Sequence, residues 1–238
     1  MLWYKAWLET RTRFLISLVG IIVLCSLLIY HGDRDALPNT GPSYYYFVLR
    51  SGHSALCTMW ILAVTLLTMG GLLREKAIGA ASFTLALPAG RTRLMSVRIC
   101  MGFLQAFALA VLPWAAMFAV AVSTGKARSI GQAGFHIALL AGGGMLFFGI
   151  ALLVSSLVEG EYTAPVVSFG VTLAMSFLLG DPPLRAYSPF AFINGVEYWD
   201  RHSGLLVGAV PWAHIAASIG VTCVLIAISV KAIQRREF

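Results

Sequence analysis

Five histidines and four cysteines are the residues of this chain best suited to metal or nucleophilic chemistry. Imidazole nitrogen suits transition metals. Yet His31, His53, His136, His202 and His214 all fall at or beyond the ends of apolar runs, on one predicted side of the chain. No two histidines are four residues apart. The expectation is interfacial side chains with no cysteine or carboxylate grouped beside them, and no metal site. Cys25, Cys57, Cys100 and Cys223 lie inside or at the edge of apolar runs without a CxxC pair. They read as small hydrophobes packed within helices, with no disulfide framework.

Nucleotide chemistry has no motif here. The single Gly-Lys pair, Gly125-Lys126, lacks a glycine five residues earlier and is followed by Ala127 rather than Ser or Thr. The apolar runs hold almost no ionisable groups, which weighs against proton- or sodium-driven transport. They contain neither a Ser/His pair nor paired aspartates for an intramembrane protease. The chain is therefore expected to be no enzyme and to carry no cofactor of its own.

The surroundings of these residues explain why. The 238-residue chain is 59% hydrophobic and 11% charged, with a mean hydropathy of +0.83; soluble domains carry about 25% charged residues. Lipid is the natural solvent for such a composition. A net charge of +7 does not signal nucleic acid, because the basic residues stand at the ends of apolar runs rather than on one continuous face.

Six apolar runs are long enough to span a bilayer as helices: Phe14–Tyr30, His53–Leu73, Ile99–Val122, Phe135–Val158, Tyr162–Leu179 and Ala209–Val230. Pro113 should kink the third. Glycines 134, 142, 143, 144 and 149 around the fourth should let neighbouring backbones approach closely. The first run is followed by no A-x-A-like cleavage site, so it reads as a retained span. Before it, Trp3, Trp7, Thr10 and Phe14 recur at helical spacing while Lys5, Glu9, Arg11 and Arg13 lie off that line. Residues 1–13 are accordingly expected to form a separate helix in the headgroup region.

With the N-terminus inside, eleven basic residues fall on the cytoplasmic side and six outside, so both ends are assigned to the cytoplasm of a cell inner membrane. The outer loop 31–52 carries Tyr44-Tyr45-Tyr46-Phe47 as an aromatic cluster. The outer loop 180–208 is too apolar for a solvated linker. It suits short helices dipping into the outer leaflet or a loop covered by protein.

The cytoplasmic segment after the second run is the most informative. Arg74-Glu75-Lys76 open it, a weakly amphipathic stretch fills it, Pro88-Ala89-Gly90 break it, and Arg91 and Arg93 precede the next helix. That order predicts a short cytoplasmic helix that must dock against something.

At this point the chain resembles the permease subunits of type-2 ABC (ATP-binding cassette) exporters. Arg74, Glu75, Gly79, Leu85, Leu87, Pro88, Arg91 and Arg93 match the family's pattern in order, with Ala80 where a Thr is usual. Residues 1–13, with Trp3, Trp7 and Arg11, resemble the family's elbow helix. Tyr187-Ser188-Pro189-Phe190 resembles its Ser-Pro-Phe turn, and Gln234–Phe238 its basic C-terminus. The resemblance implies one permease domain over residues 1–238. It also implies a coupling helix within 74–90 that is seated in a separate ATPase, where Arg74, Glu75 and Lys76 set register and Phe83 and Leu85 anchor. Two ATPase subunits, which bind ATP and magnesium, would join a second permease, identical or related. The cargo suggested by uncharged spans is hydrophobic or amphipathic: a lipid, peptide antibiotic or drug. The alternative is a non-transporting membrane scaffold or sensor.

Overall fold

The computed structural model describes residues 2–31, 43–68, 91–123, 130–158, 163–181, 183–200 and 206–235. Among them the backbone is helical apart from turns and one antiparallel bridge, Trp199 to Leu206.

The first helix, α1 (Leu2–His31), is one unbroken rod of 30 residues, about 45 Å long. No break separates residues 2–13 from the apolar run, contrary to expectation. Hydropathy changes sharply at Arg11-Thr12-Arg13, but no Pro or Gly interrupts the backbone there, so the hydrogen-bond ladder continues. Ala6, Thr10, Phe14, Ile21 and Cys25 form its buried stripe and pack it against α3 and α2.

Helix α2 (Ser43–Leu67) starts ten residues before the apolar run. The Tyr44–Phe47 cluster is thus on its opening turns rather than in a loop. Helix α3 (Arg91–Ser123) also starts early and runs through Pro113. In both cases hydropathy locates the apolar stretch, whereas helix length follows backbone hydrogen bonding, which charged residues do not stop. The second half of α2 is buried on most sides, with Leu56, Cys57, Trp60, Ile61 and Val64 in the core. Trp60 Nε1–H donates to the Ala106 carbonyl of α3 at 2.9 Å.

The next rod is α4 (Ile130–Ala138), a π-helical turn (Leu139–Gly143) and α5 (Met145–Leu157). A wide turn displaces carbonyls from their usual partners, which is tolerable in an apolar core only if other groups satisfy them. Ser218 Oγ donates to the Gly143 carbonyl at 2.8 Å. Helix α6 (Thr163–Leu178) follows, then a loop with a short helix α7 (Pro189–Ile193). The last helix is α8 (Trp212–Gln234), whose buried Ile215, Thr222, Ser229 and Ile233 form a narrow seam, largely against α5.

Among the described residues four helical stretches are long and apolar enough to cross a membrane: Leu2–Leu28, Arg93–Ser123, Ile130–Leu157 and Trp212–Gln234. Gly52–Leu67 and Thr163–Leu178 are shorter apolar stretches. The outward faces are apolar too: Ile16, Val19 and Val23 on α1 and Val221, Val224 and Ile228 on α8 are exposed. Water would penalise such faces and lipid would not. The architecture is that of an all-α membrane protein.

Candidate functional site

Two polar constellations stand at opposite ends of the α2–α3 pair. The first lies where α3 begins. Arg74, Glu75, Lys76, Gly79, Phe83, Leu85, Leu87 and Pro88 are outside the described residues. Arg91 opens α3, and Arg93 is exposed on its first turn. One turn on, Arg98 reaches Glu9 of α1 at 3.4 Å, and Lys5 lies 3.8 Å from the same carboxylate. Deeper, Gln105 Nε2 donates to Thr10 Oγ at 2.7 Å, and that hydroxyl donates to the Ala6 carbonyl at 3.0 Å. Gln105 Oε1 is buried and meets no hydrogen-bond donor among the described residues. The start of α1 is therefore fastened to α3 at two levels. Of the residues likened to an elbow helix, Trp3 and Arg11 are exposed, while Trp7 is half-buried with its ring edge-on to Phe14 at 5.9 Å.

The second constellation was not expected. His53 and His136 are buried, at 1% and 3% exposure, with ring centroids 4.5 Å apart. Both rings are thus packed against protein and against each other rather than standing as ungrouped side chains. Cys57 stands one helical turn from His53, with Sγ 3.4 Å from Nε2, so a cysteine is grouped with a histidine after all. The His53–Cys57 spacing was the signal available in the sequence; His136 comes from a distant helix and had none. His214 is exposed beside the Phe192 ring. His202 and the His31 side chain lie outside the described residues.

The chemistry of this cluster follows from its donors. An indole N–H only donates, and Trp114 Nε1 lies 3.2 Å from His53 Nδ1. His53 Nδ1 must accept, so its proton is on Nε2, which donates to the Ile193 carbonyl at 2.9 Å. The Cys57 thiol also reaches that carbonyl, at 3.7 Å. His136 Nδ1 donates to the Gln132 carbonyl at 2.8 Å. Ile193 is the last residue of α7, so α2, with α3 behind it, holds the C-terminal end of that short helix inside the bundle. With both His53 nitrogens engaged, a metal could be bound only by breaking those bonds. Among the described residues no group of three His, Cys, Asp or Glu is placed to hold a metal ion.

The glycines complete the socket. A side chain at Gly142 would meet Ile215, at Gly143 Phe192 and Ile193, at Gly144 Trp60, and at Gly149 Leu225 and Thr222. Gly134 has open space instead. The cysteines divide: Cys25 and Cys57 are buried, whereas Cys100 and Cys223 are exposed rather than packed.

No protein-family model, curated protein or solved structure matches this chain. Fold and site together define an all-α membrane protein in which the loop carrying α7 is fastened to the bundle through His53.

Proposed function

We propose that the chain is the transmembrane permease subunit of an ATP-driven ABC exporter, with six spans and both ends in the cytoplasm of a cell inner membrane. It forms the path with a second permease, and separate ATPase subunits bind ATP and magnesium. The observation that carries this reading is the ordered set Arg74, Glu75, Gly79, Leu85, Leu87, Pro88, Arg91 and Arg93 immediately upstream of, and entering, α3. The Glu9–Arg98 pair and the Gln105–Thr10 hydrogen bond add a mechanical reason. A push on residues 74–90 would pass directly into α3, and through those contacts into α1. The exposed apolar faces suit a bundle that meets lipid or another permease.

The test is purification of the full chain from its native membrane in mild detergent. A separate ATPase should accompany it, and Glu75→Lys should leave the chain folded while ATP hydrolysis no longer drives transport. A chain that purifies without any ATPase would support the scaffold or sensor reading instead.

A further inference from the structure

A cavity of about 380 Å³ opens between the C-terminal end of α6, the first half of α2 and the loop carrying α7. Pockets of roughly 300–1,000 Å³ suit small-molecule groups. Its walls are half polar in kind: Ser54, Ser176, Ser188 and Asn194 face a space otherwise lined by Phe190, Leu179 and other apolar groups. Among the described residues that line it, Arg185 alone carries a formal charge. Among the described residues no carboxylate pairs with it. Ser188 and Asn194 are engaged in holding α7, the first accepting from Ala191 N–H and the second donating to the Phe190 carbonyl. Arg185, Ser54 and Ser176 thus supply the donors for a ligand.

Depth and surroundings narrow the ligand class. Ser54 lies two residues inside the apolar stretch Gly52–Leu67, and Leu179 and Gly180 directly follow α6. The cavity therefore sits where the apolar stretches of α2 and α6 both end, the level expected for lipid headgroups. Beside it, Phe177 and Leu178 are 81% and 70% exposed, and Tyr187, between Arg185 and Ser188, is 78% exposed. A cationic fork with hydroxyls binds phosphate oxygens well, and exposed apolar side chains at the rim suit acyl chains.

The geometry points to this cavity as a binding site for the phosphate headgroup of an anionic lipid in the outer leaflet, with its chains lying along the outer end of α6. The site does not depend on the permease reading. Loss of the ATPase partner would leave it standing, and loss of lipid binding would leave the partner assignment standing.

The experiment is native mass spectrometry of the full chain released from nanodiscs made of equal parts phosphatidylglycerol and phosphatidylcholine. The expected result is selective retention of phosphatidylglycerol. Arg185→Gln should weaken retention roughly tenfold, the size of one lost charge-assisted bond. Arg185→Lys should keep part of it, and Ser54→Leu should reduce it by filling space without changing charge. Lys231→Gln, an exposed cation on α8, should change nothing. Circular dichroism establishes that each variant is folded. Equal retention of the two lipids, or an unaltered Arg185→Gln variant, would overturn the site. Displacement of the lipid by millimolar-range inorganic phosphate would show a free-anion site and overturn the lipid assignment.

Discussion

Trp114 on α3 donates its indole N–H to His53 on α2, and that single bond determines which nitrogen of His53 is left to hold the Ile193 carbonyl. Three elements far apart in sequence thereby share one buried imidazole. The order of donors along this line places the ring proton on Nε2 and leaves the Nδ1 lone pair for the Trp114 N–H.

Trp114→Phe removes the donor and preserves most of the ring volume. It should cost about 1–3 kcal/mol, the penalty for leaving a buried acceptor unmet. His53→Phe should cost more, because the Trp114 N–H and the Ile193 carbonyl both lose a partner. Thermal unfolding in detergent, followed by circular dichroism, measures both. If both variants melted with the parent protein, the clamp would have no energetic role.

The glycines of the π-helical turn give a second prediction. A methyl group at Gly144 would press on the Leu140 carbonyl of the same turn and on the Trp60 ring at 2.9 Å, and one at Gly143 would lie 2.5 Å from Phe192. Backbone cannot step aside as a side-chain tip can. Gly144→Ala should therefore destabilise by at least about 2 kcal/mol, and Gly143→Ala by about 1–3 kcal/mol. Gly20→Ala, with nothing within 4 Å of the new methyl, should gain up to about 1 kcal/mol from helix propensity. Equal effects at the three positions would contradict the close packing.

What the sequence disclosed and what it hid divide along physical lines. Apolar runs located the helices because lipid solvation is a property of composition. Helix ends were misplaced at Ser43 and Arg91, where charge or polarity changes but the backbone has no reason to stop. The close approach at Gly142–Gly144 was legible, since nothing but absent side chains permits it. The burial of His53 and His136 was not. Their partners, Trp114, Ile193 and Gln132, include residues 61 and 140 positions from His53, and no local pattern reports such contacts. Phe83, Leu85 and the rest of the 74–90 segment were assigned through resemblance, and lie outside the described residues.

Thr10 and Gln105 supply a third test. Gln105 gives its amide N–H to Thr10 while its own oxygen meets no donor among the described residues. Thr10→Val would leave the amide unmet at both ends, at an expected cost of about 1–3 kcal/mol. Gln105→Leu loses the same bond but also removes the unmet oxygen, so it should lie within about 1 kcal/mol of the parent. The double variant should resemble Gln105→Leu. A denaturation cycle in mixed micelles reads the coupling, and equal costs for the two single changes would contradict this account of the pair.

The Glu9–Arg98 pair separates stability from mechanics. Both side chains are partly solvated, at 33% and 19% exposure, so the pair should be worth no more than about 1 kcal/mol to folding. Its proposed importance is positional: it joins α1 to α3 just beyond the segment that would receive force from an ATPase. Glu9→Lys places a cation between Lys5 and Arg98 and should drive the two helices apart locally. The expected outcome is a melting temperature close to that of the parent and a several-fold loss of transport per ATP in the reconstituted complex. Reversing the pair, with Glu9→Arg and Arg98→Glu together, should recover most of that loss, because attraction is restored with the polarity exchanged. Full coupling in Glu9→Lys would show that α1 is not driven through this contact, and failure of the reversed pair to recover would assign the defect to Lys5 or another neighbour of Arg98 instead.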